Sequence, residues 1–447
     1  MNPEFLRNVW LELTPRRMAI MAVLLGLVFL ASESSGQLTS PAAAGQTLFY
    51  LIVLLWGTRN AALSVVGEIR ERTWDSQRLS AIGPAAMTIG KLLGSTIYNW
   101  FGGAICLAVI FISTVTSKDA SSAVLECFRL IALGALAQTA SLLASLIAIR
   151  RRQGAHSRLD IFIYQIVGLA AAGAFQLVWG TANLPGGSQK LETIAWWGAE
   201  YAARPFLLVS LAIFVGWMFV ACYRQMRVEL QTVNGPLVWL AFAVFVAVYA
   251  GGFAPHIAGM SNPALPHLCL AAGSLGLLTY ASVLLEPKDR VLYRWLRAAW
   301  NARNFAGVFS RVQGWMTSYV LFIAAALCLL LQSPEWSGDV GRADILAVCG
   351  FLTRDIGIVL WFAAGRTRRR GDWAAVFTLL AIYLLIPAVV SGTSKAFVSL
   401  FRPEQGAAPW IAVAAAWVES IAVWGFALYR FSVEEDRAHS PSLLPAR

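Results

Sequence analysis

Long apolar stretches alternate with short polar loops along almost the whole chain. Most stretches run for about 20 residues, the length that crosses a bilayer as a helix, whereas a barrel strand needs only about 10 alternating residues. The pattern predicts about twelve membrane-spanning helices and therefore an all-α polytopic membrane protein. The predicted spans lie near 17–35, 46–66, 90–115, 123–149, 159–180, 204–223, 234–252, 267–285, 314–332, 343–364, 373–390 and 408–429.

The polar loop after the second apolar stretch recurs in degenerate form after the eighth. The first copy begins Ser64-Val-Val-Gly-Glu68-Ile-Arg70 and the second Ser282-Val-Leu-Leu-Glu286-Pro-Lys288, about half a chain later. A repeat of this period predicts two similar membrane halves of six helices each, residues 1–231 and 232–447.

Composition and charge are also typical of a polytopic membrane protein. Hydrophobic residues make up 58% of the chain, charged residues 13%, and the formal net charge is +11. Basic residues cluster in alternate loops, which predicts that these loops and both termini are cytoplasmic, and makes the charge a signal of topology and not of nucleic-acid binding. The clusters are Arg16–Arg17, Arg70–Arg78, Arg150–Arg158, Arg224–Arg227, Lys288–Arg303, Arg366–Arg370 and Arg430–Arg437.

Two segments outside the spans carry further expectations. Phe5, Leu6, Val9, Trp10 and Leu13 share one helical face, which predicts an amphipathic helix along the inner membrane surface. The aromatic-rich segment 184–205 is expected to dip into the outer leaflet, because Trp and Tyr favour that depth.

The first polar loop resembles a known family. The run Glu68-Ile-Arg-Glu-Arg-Thr73-Trp-Asp75, followed by Gly83-Pro84 and Gly90-Lys91, is similar to the permeases of ATP-binding-cassette (ABC) transporters of the type-2 exporter family. Arg72 stands where that family usually has glycine. The resemblance implies a permease with a short coupling helix that docks on a separate ATP-binding subunit, in two copies, in a bacterial inner membrane. ATP would be bound by that subunit and not by this chain.

The residues themselves support a short helix in this loop. Thr73 is a good N-cap and Asp75 in the first turn complements the helix dipole. The alternative interpretations are an ordinary solvated loop for the first copy and an interfacial helix for the second. The expected partner-coupling residues are Glu68, Arg70, Arg72, Thr73, Trp74, Asp75, Arg78, Glu286, Lys288, Asp289 and Arg290.

Charged residues inside the predicted spans are the second group of candidate functional residues. Arg354, Asp355 and Glu419 line a translocation path, pair between helices or snorkel toward the membrane surface. A phosphate-binding GxxxxGK[ST] loop is missing, because Gly90-Lys91 is followed by Leu92 and Ala85 replaces the first glycine. The sequence therefore predicts a transport subunit without catalytic, cofactor or metal sites of its own.

Two other function classes stay open. A twelve-span secondary transporter of the major facilitator type would share the span number and the half-repeat. That family usually carries a Gly-x-x-x-Asp-Arg-x-Gly-Arg-Arg-like loop, whereas Gly67 here precedes a mixed-charge segment. A membrane-embedded enzyme is the third class, although no Ser-His-Asp set, paired carboxylates or metal spacing supports it.

Overall fold

A computed structural model shows a mostly helical chain, as the apolar pattern predicts. The structure describes residues 2–34, 40–117, 119–151, 157–181, 193–232, 234–254, 262, 264–288, 290–332, 341–364, 368–390, 398–401 and 409–439. The chain divides into two compact units, one of residues 1–194 and 200–234 and one of residues 195–199 and 235–447. The boundary predicted from the sequence lies at residues 231 and 232.

Eight helices belong to the first unit within the described residues. They are α1 (Pro3–Glu12), α2 (Pro15–Ser34), α3 (Pro41–Arg70), α4 (Trp74–Arg78), α5 (Pro84–Ser117), α6 (Ala120–Arg151), α7 (Arg158–Thr181) and α8 (Ala203–Glu229). A two-stranded sheet joins β1 (Thr193–Trp196) and β2 (Ala199–Ala202).

Eight more helices belong to the second unit within the described residues. They are α9 (Leu237–Gly251), α10 (Ala264–Leu285), α11 (Arg290–Asn301), α12 (Phe305–Arg311), α13 (Gly314–Gln332), α14 (Arg342–Ala363), α15 (368–390) and α16 (Pro409–His439).

Eleven helices in the described part of the chain are long and apolar enough to cross a membrane. They coincide with eleven of the twelve predicted spans, so the polytopic helical class is confirmed. The remaining prediction, near 234–252, falls on α9, an apolar helix that is shorter than the other spans.

A π-helical segment, Tyr50–Trp56, interrupts α3 in the first unit. The wider helix leaves backbone carbonyls to be satisfied by other groups, which in a membrane must come from the protein. Three side-chain amides from neighbouring helices do this: Asn99 donates to Ile52 O at 2.9 Å, Gln138 to Val53 O at 3.0 Å and Gln165 to Leu55 O at 2.7 Å. Polar residues of α5, α6 and α7 therefore hold α3 in place.

The segment expected to dip into the outer leaflet contains a β-hairpin in its described part. The turn residues Trp197 and Gly198 have φ values of +50° and +75°, the signs that a tight two-residue hairpin turn requires. The hairpin tip belongs to the second unit, where Trp197 N donates to Gly252 O at 2.8 Å and the Trp197 ring stacks on His267 at 4.8 Å. The segment was expected to dip into the outer leaflet. In its described part it forms a short hairpin whose tip packs on the end of α9.

Candidate functional site

Five polar side chains from four helical segments meet beside the first repeat loop. We call Glu4, Arg7, Glu68, Gln77 and Lys91 the loop network. Lys91 Nζ donates to Glu4 Oε1 at 2.7 Å and also to Glu68 Oε1. Arg7 Nη2 lies 2.9 Å from the same oxygen of each carboxylate, and Gln77 Nε2 lies 2.5 Å from Glu68 Oε1. The network therefore ties α1, the end of α3, α4 and the start of α5 together.

Four members of the loop network are buried or half-buried, whereas the Arg7 side chain is 45% exposed, and Oε2 of Glu68 has no hydrogen-bond partner among the described residues. Lys91 is 1% exposed and Glu4 is 3% exposed. Two carboxylates face one ammonium and one guanidinium, so the formal charges balance. Burying charges is tolerated when they are paired and hydrogen-bonded in this way, and removing one partner is costly. Lys91 also makes a cation–π contact with the buried Trp74 ring, whose centroid lies 5.9 Å from Nζ.

Close backbone approach brings α1 to this position. Asn2 caps α1 by accepting from the backbone N–H groups of Glu4 and Phe5, and its amide donates to Ala86 O at 2.6 Å. A Cβ at Gly90 would lie 2.5 Å from Cγ of Glu4. Glycine at this position of α5 therefore allows α1 to pack closely enough for Glu4 to reach Lys91.

The end of α3 has a defined turn geometry. Thr73 N donates to Glu68 O at 2.9 Å and Arg72 N to Ile69 O at 3.2 Å, the two hydrogen bonds of a Schellman motif. Arg72 has a φ of +59° at the position where that motif favours glycine. The Thr73 hydroxyl donates to Glu68 O at 3.3 Å and makes no cap on α4, contrary to the expected N-cap role.

The outer face of the loop carries the other predicted coupling residues. Arg70, Arg72 and Thr73 are exposed, and the side chain of Asp75 is 89% exposed. Arg78 is half-buried and lies 3.8 Å from Asp75. Since Glu68 and Trp74 face inward, the seven predicted residues divide into two internal anchors and a mixed-charge outer surface.

The second repeat loop uses its glutamate in a comparable way. Glu286 accepts from the backbone N–H of Gly314 at 3.0 Å and lies 3.5 Å from the N–H of Trp315, at the start of α13. In both copies the repeated glutamate joins the end of one span to the start of the next. Lys288 is buried, whereas Asp289 and the side chain of Arg290 lie outside the described residues. A partner contact at this loop stays a prediction.

The three charged residues singled out in the second half come together. We call Tyr280, Arg354, Asp355, Tyr383 and Glu419 the buried charge cluster. Arg354 donates from Nε to Asp355 Oδ1 at 2.9 Å and from Nη1 to Glu419 Oε2 at 2.6 Å. The hydroxyl groups of Tyr280 and Tyr383 donate to Asp355 Oδ2 at 2.5 and 2.6 Å. Arg354 and Glu419 thus pair between α14 and α16, and a role of these residues in a translocation path stays a prediction.

Small residues make this pairing possible. An ideal Cβ at Gly350 would lie 2.7 Å from Ala416 Cβ, and one at Gly357 would lie 2.9 Å from Val423 Cγ1. The helices α14 and α16 therefore pack so closely that only glycine fits at these two positions. This close packing lets Arg354 reach Glu419. Arg354 and Asp355 are buried, and the Glu419 side chain is 35% exposed. Nη2 of Arg354 makes no hydrogen bond with any described residue. With all three groups ionised the cluster carries one net negative charge.

Fold and site define the class of protein as a polytopic helical membrane protein, compatible with a transporter-like role. No protein-family model, curated protein or solved structure matches the chain. Within the described residues no group of three or more His, Cys, Asp or Glu side chains could hold a metal ion.

Sequence reasoning missed several members of both sites. Glu4 and Arg7 were not among the predicted site residues, although their spacing of three residues places them side by side on a helix. Tyr280 and Tyr383 lie in apolar stretches, where a phenol gives no periodic signal. Their role follows from Asp355 lying on another helix, which one sequence cannot reveal.

Proposed function

We propose that this chain is the membrane-spanning permease of an ATP-driven ABC exporter in a bacterial inner membrane, and that it couples to a separate ATP-binding subunit. The observation that carries the proposal is the first repeat loop. It presents a short exposed helix with mixed charges, and the loop network attaches that helix to the spans. Such a surface suits a protein partner, since complementary charges fix orientation and register.

The loop network supplies the route for mechanical coupling. A partner that pushes on α4 acts on Glu68 through Gln77, and Glu68 is paired with Lys91 at the start of α5. Arg7 and Glu4 extend the same network to α1. A displacement of the loop therefore moves α1, α3 and α5 as one body, which is the rigid-body motion that alternating access requires.

The test is capture of the ATP-binding subunit encoded beside this chain, after co-expression and gentle detergent extraction. Asp75→Arg and Arg72→Glu reverse charges on the outer surface of the loop and leave the loop network intact. Glu33→Arg is the matched control, because Glu33 is exposed and lies at the end of α2 that is remote from α1. We expect stoichiometric recovery with the parent chain and the control, and at least tenfold lower recovery with each loop variant. Equal recovery from all four chains would contradict the proposed docking.

A second candidate function is an ion-coupled secondary transporter of the major facilitator type. The buried charge cluster favours it, because carboxylates and tyrosines inside a membrane often form ion or proton pathways. Transport in sealed vesicles distinguishes the two. Uptake that needs ATP and the partner subunit supports the permease, whereas uptake driven by an imposed ion gradient alone supports the secondary transporter.

A further inference from the structure

The segment between α10 and α13 contains two short helices, α11 and α12. It joins the end of one span at Leu285 to the start of the next at Gly314. Helices of 12 and 7 residues are too short to cross a bilayer. Both helices therefore connect α10 and α13 at one end of these two spans.

This segment is basic, and its two acidic residues, Glu286 and Asp289, both precede α11. Residues 290–313 contain Arg290, Arg294, Arg297, Arg303 and Arg311 and no Asp or Glu. Arg294 and Arg297 share one face of α11 and are exposed, while Ala299 on the opposite face is buried. The first repeat loop differs, because Glu71 and Asp75 accompany its arginines. Residues 290–313, which contain α11 and α12, thus carry only positive charge.

Three large aromatic side chains stand out beside these arginines. Trp300, Phe305 and Phe309 are 61%, 56% and 53% exposed. The rings of Trp300 and Phe305 meet edge to face at 5.4 Å, and Phe309 lies one helical turn beyond Phe305. A contiguous aromatic patch in water is unfavourable, whereas the boundary between headgroups and acyl chains accommodates it.

Arginines lie on both sides of the aromatic patch in the chain, at Arg297 and Arg311, and within it at Arg303. Arg303, which is exposed, forms the turn between α11 and α12 with a φ of +55°. Arg311 lies over the Trp295 ring at 4.1 Å. Guanidinium groups beside an aromatic patch at this depth can bind phosphate groups while the rings enter the lipid.

We infer that α11 and α12 form a binding surface for anionic phospholipids. Trp300, Phe305 and Phe309 enter the interfacial zone of the leaflet, and Arg297 and Arg303 bind lipid phosphates. The surface needs no ATP-binding subunit and is therefore separate from the docking proposed for the first loop.

The test is hydrogen–deuterium exchange of the full chain in nanodiscs, followed on peptides that cover residues 290–313. One preparation contains phosphatidylcholine alone and the other phosphatidylcholine with phosphatidylglycerol. We expect slower exchange in the anionic nanodiscs. In the variant Arg297→Gln/Arg303→Gln, the ratio of the exchange rates in the two lipid compositions should fall by about fivefold for each arginine removed. The matched control Arg70→Gln/Arg72→Gln changes the same charge on the first loop and should keep the full lipid effect.

Two results would overturn the inference. One is equal exchange of residues 290–313 in both lipid compositions, which needs no variant and does not depend on how the variants fold. The other is protection that arises only when the ATP-binding subunit is added, whatever the lipid, which would assign the surface to a protein partner.

Discussion

Replacing Lys91 by methionine tests the loop network most severely. The substitution keeps a long flexible side chain and removes the ammonium group that pairs with Glu4 and Glu68. Breaking a buried ion pair from one side costs about 3–5 kcal/mol, because the partner charge stays buried and loses its counter-ion. Arg7 still contacts both carboxylates, so we expect a cost near the lower limit, about 3 kcal/mol.

The loss of stability in the Lys91→Met variant should first increase the fraction of molecules in which α1 has separated from α5. Glu4 attaches α1 to α5 through Lys91, and undocking returns the Glu4 carboxylate to water. A loss of about 3 kcal/mol corresponds to roughly a hundredfold rise in the population of the undocked state. Hydrogen–deuterium exchange of the amides of α1 in detergent micelles measures this population, and we expect exchange about a hundredfold faster, up to the limit set by the free helix.

The control is an ion pair of similar length that is exposed. Arg17 Nη1 lies 2.8 Å from Glu12 Oε2, and the two side chains are 52% and 41% exposed. Arg17→Met should change exchange by about twofold at most, since exposed pairs contribute about 0.5 kcal/mol. Similar exchange of α1 in the Lys91→Met and Arg17→Met variants would refute the argument that the buried network holds α1. Adding Glu4→Gln to Lys91→Met should recover part of the loss, because one uncompensated carboxylate is removed.

Three further predictions concern stability. Arg72→Gly should raise the free energy of unfolding by about 0.5–1 kcal/mol, since glycine relieves the left-handed strain at the cost of chain entropy; a lower melting temperature would contradict this. Asp355→Leu should cost about 3–5 kcal/mol by leaving Arg354 incompletely paired, and Tyr383→Phe only about 1.5–3 kcal/mol; thermal unfolding in micelles ranks them, and the reverse order would count against the assigned pairing. Gly252→Ala should speed exchange of the hairpin tip, because the new Cβ would lie 2.1 Å from Trp196 Nε1; unchanged exchange would exclude that contact.

The positions of the helices follow from the sequence because a span needs one long apolar stretch, and that signal is local. The hairpin at residues 193–202 was not predicted, since four-residue strands around Trp197-Gly198 carry little periodicity. The π-helical segment of α3 was also missed, because its stability depends on Asn99, Gln138 and Gln165 from other helices.

The candidate sites were predicted only in part for the same physical reason. The internal pairing of Glu68 was not predicted, because Lys91 and Arg7 approach it from other helices, and its contact with a partner subunit stays a prediction. Arg354, Asp355 and Glu419 could be selected as costly charges within apolar stretches. Their mutual pairing depends on the close packing of α14 against α16, and a single sequence does not indicate which helices pack together.

The most direct test of the central claim is photo-cross-linking from the tip of the first loop. A photoreactive amino acid replaces Leu79, which is 89% exposed next to α4, and the matched control replaces Leu177, which is 75% exposed on α7. The account predicts that Leu79 forms an adduct with a protein carrying a phosphate-binding loop, identified by mass spectrometry, and that Leu177 does not. Adducts with lipid alone at both positions, in cells where the chain still transports, would contradict the assignment as an ABC permease.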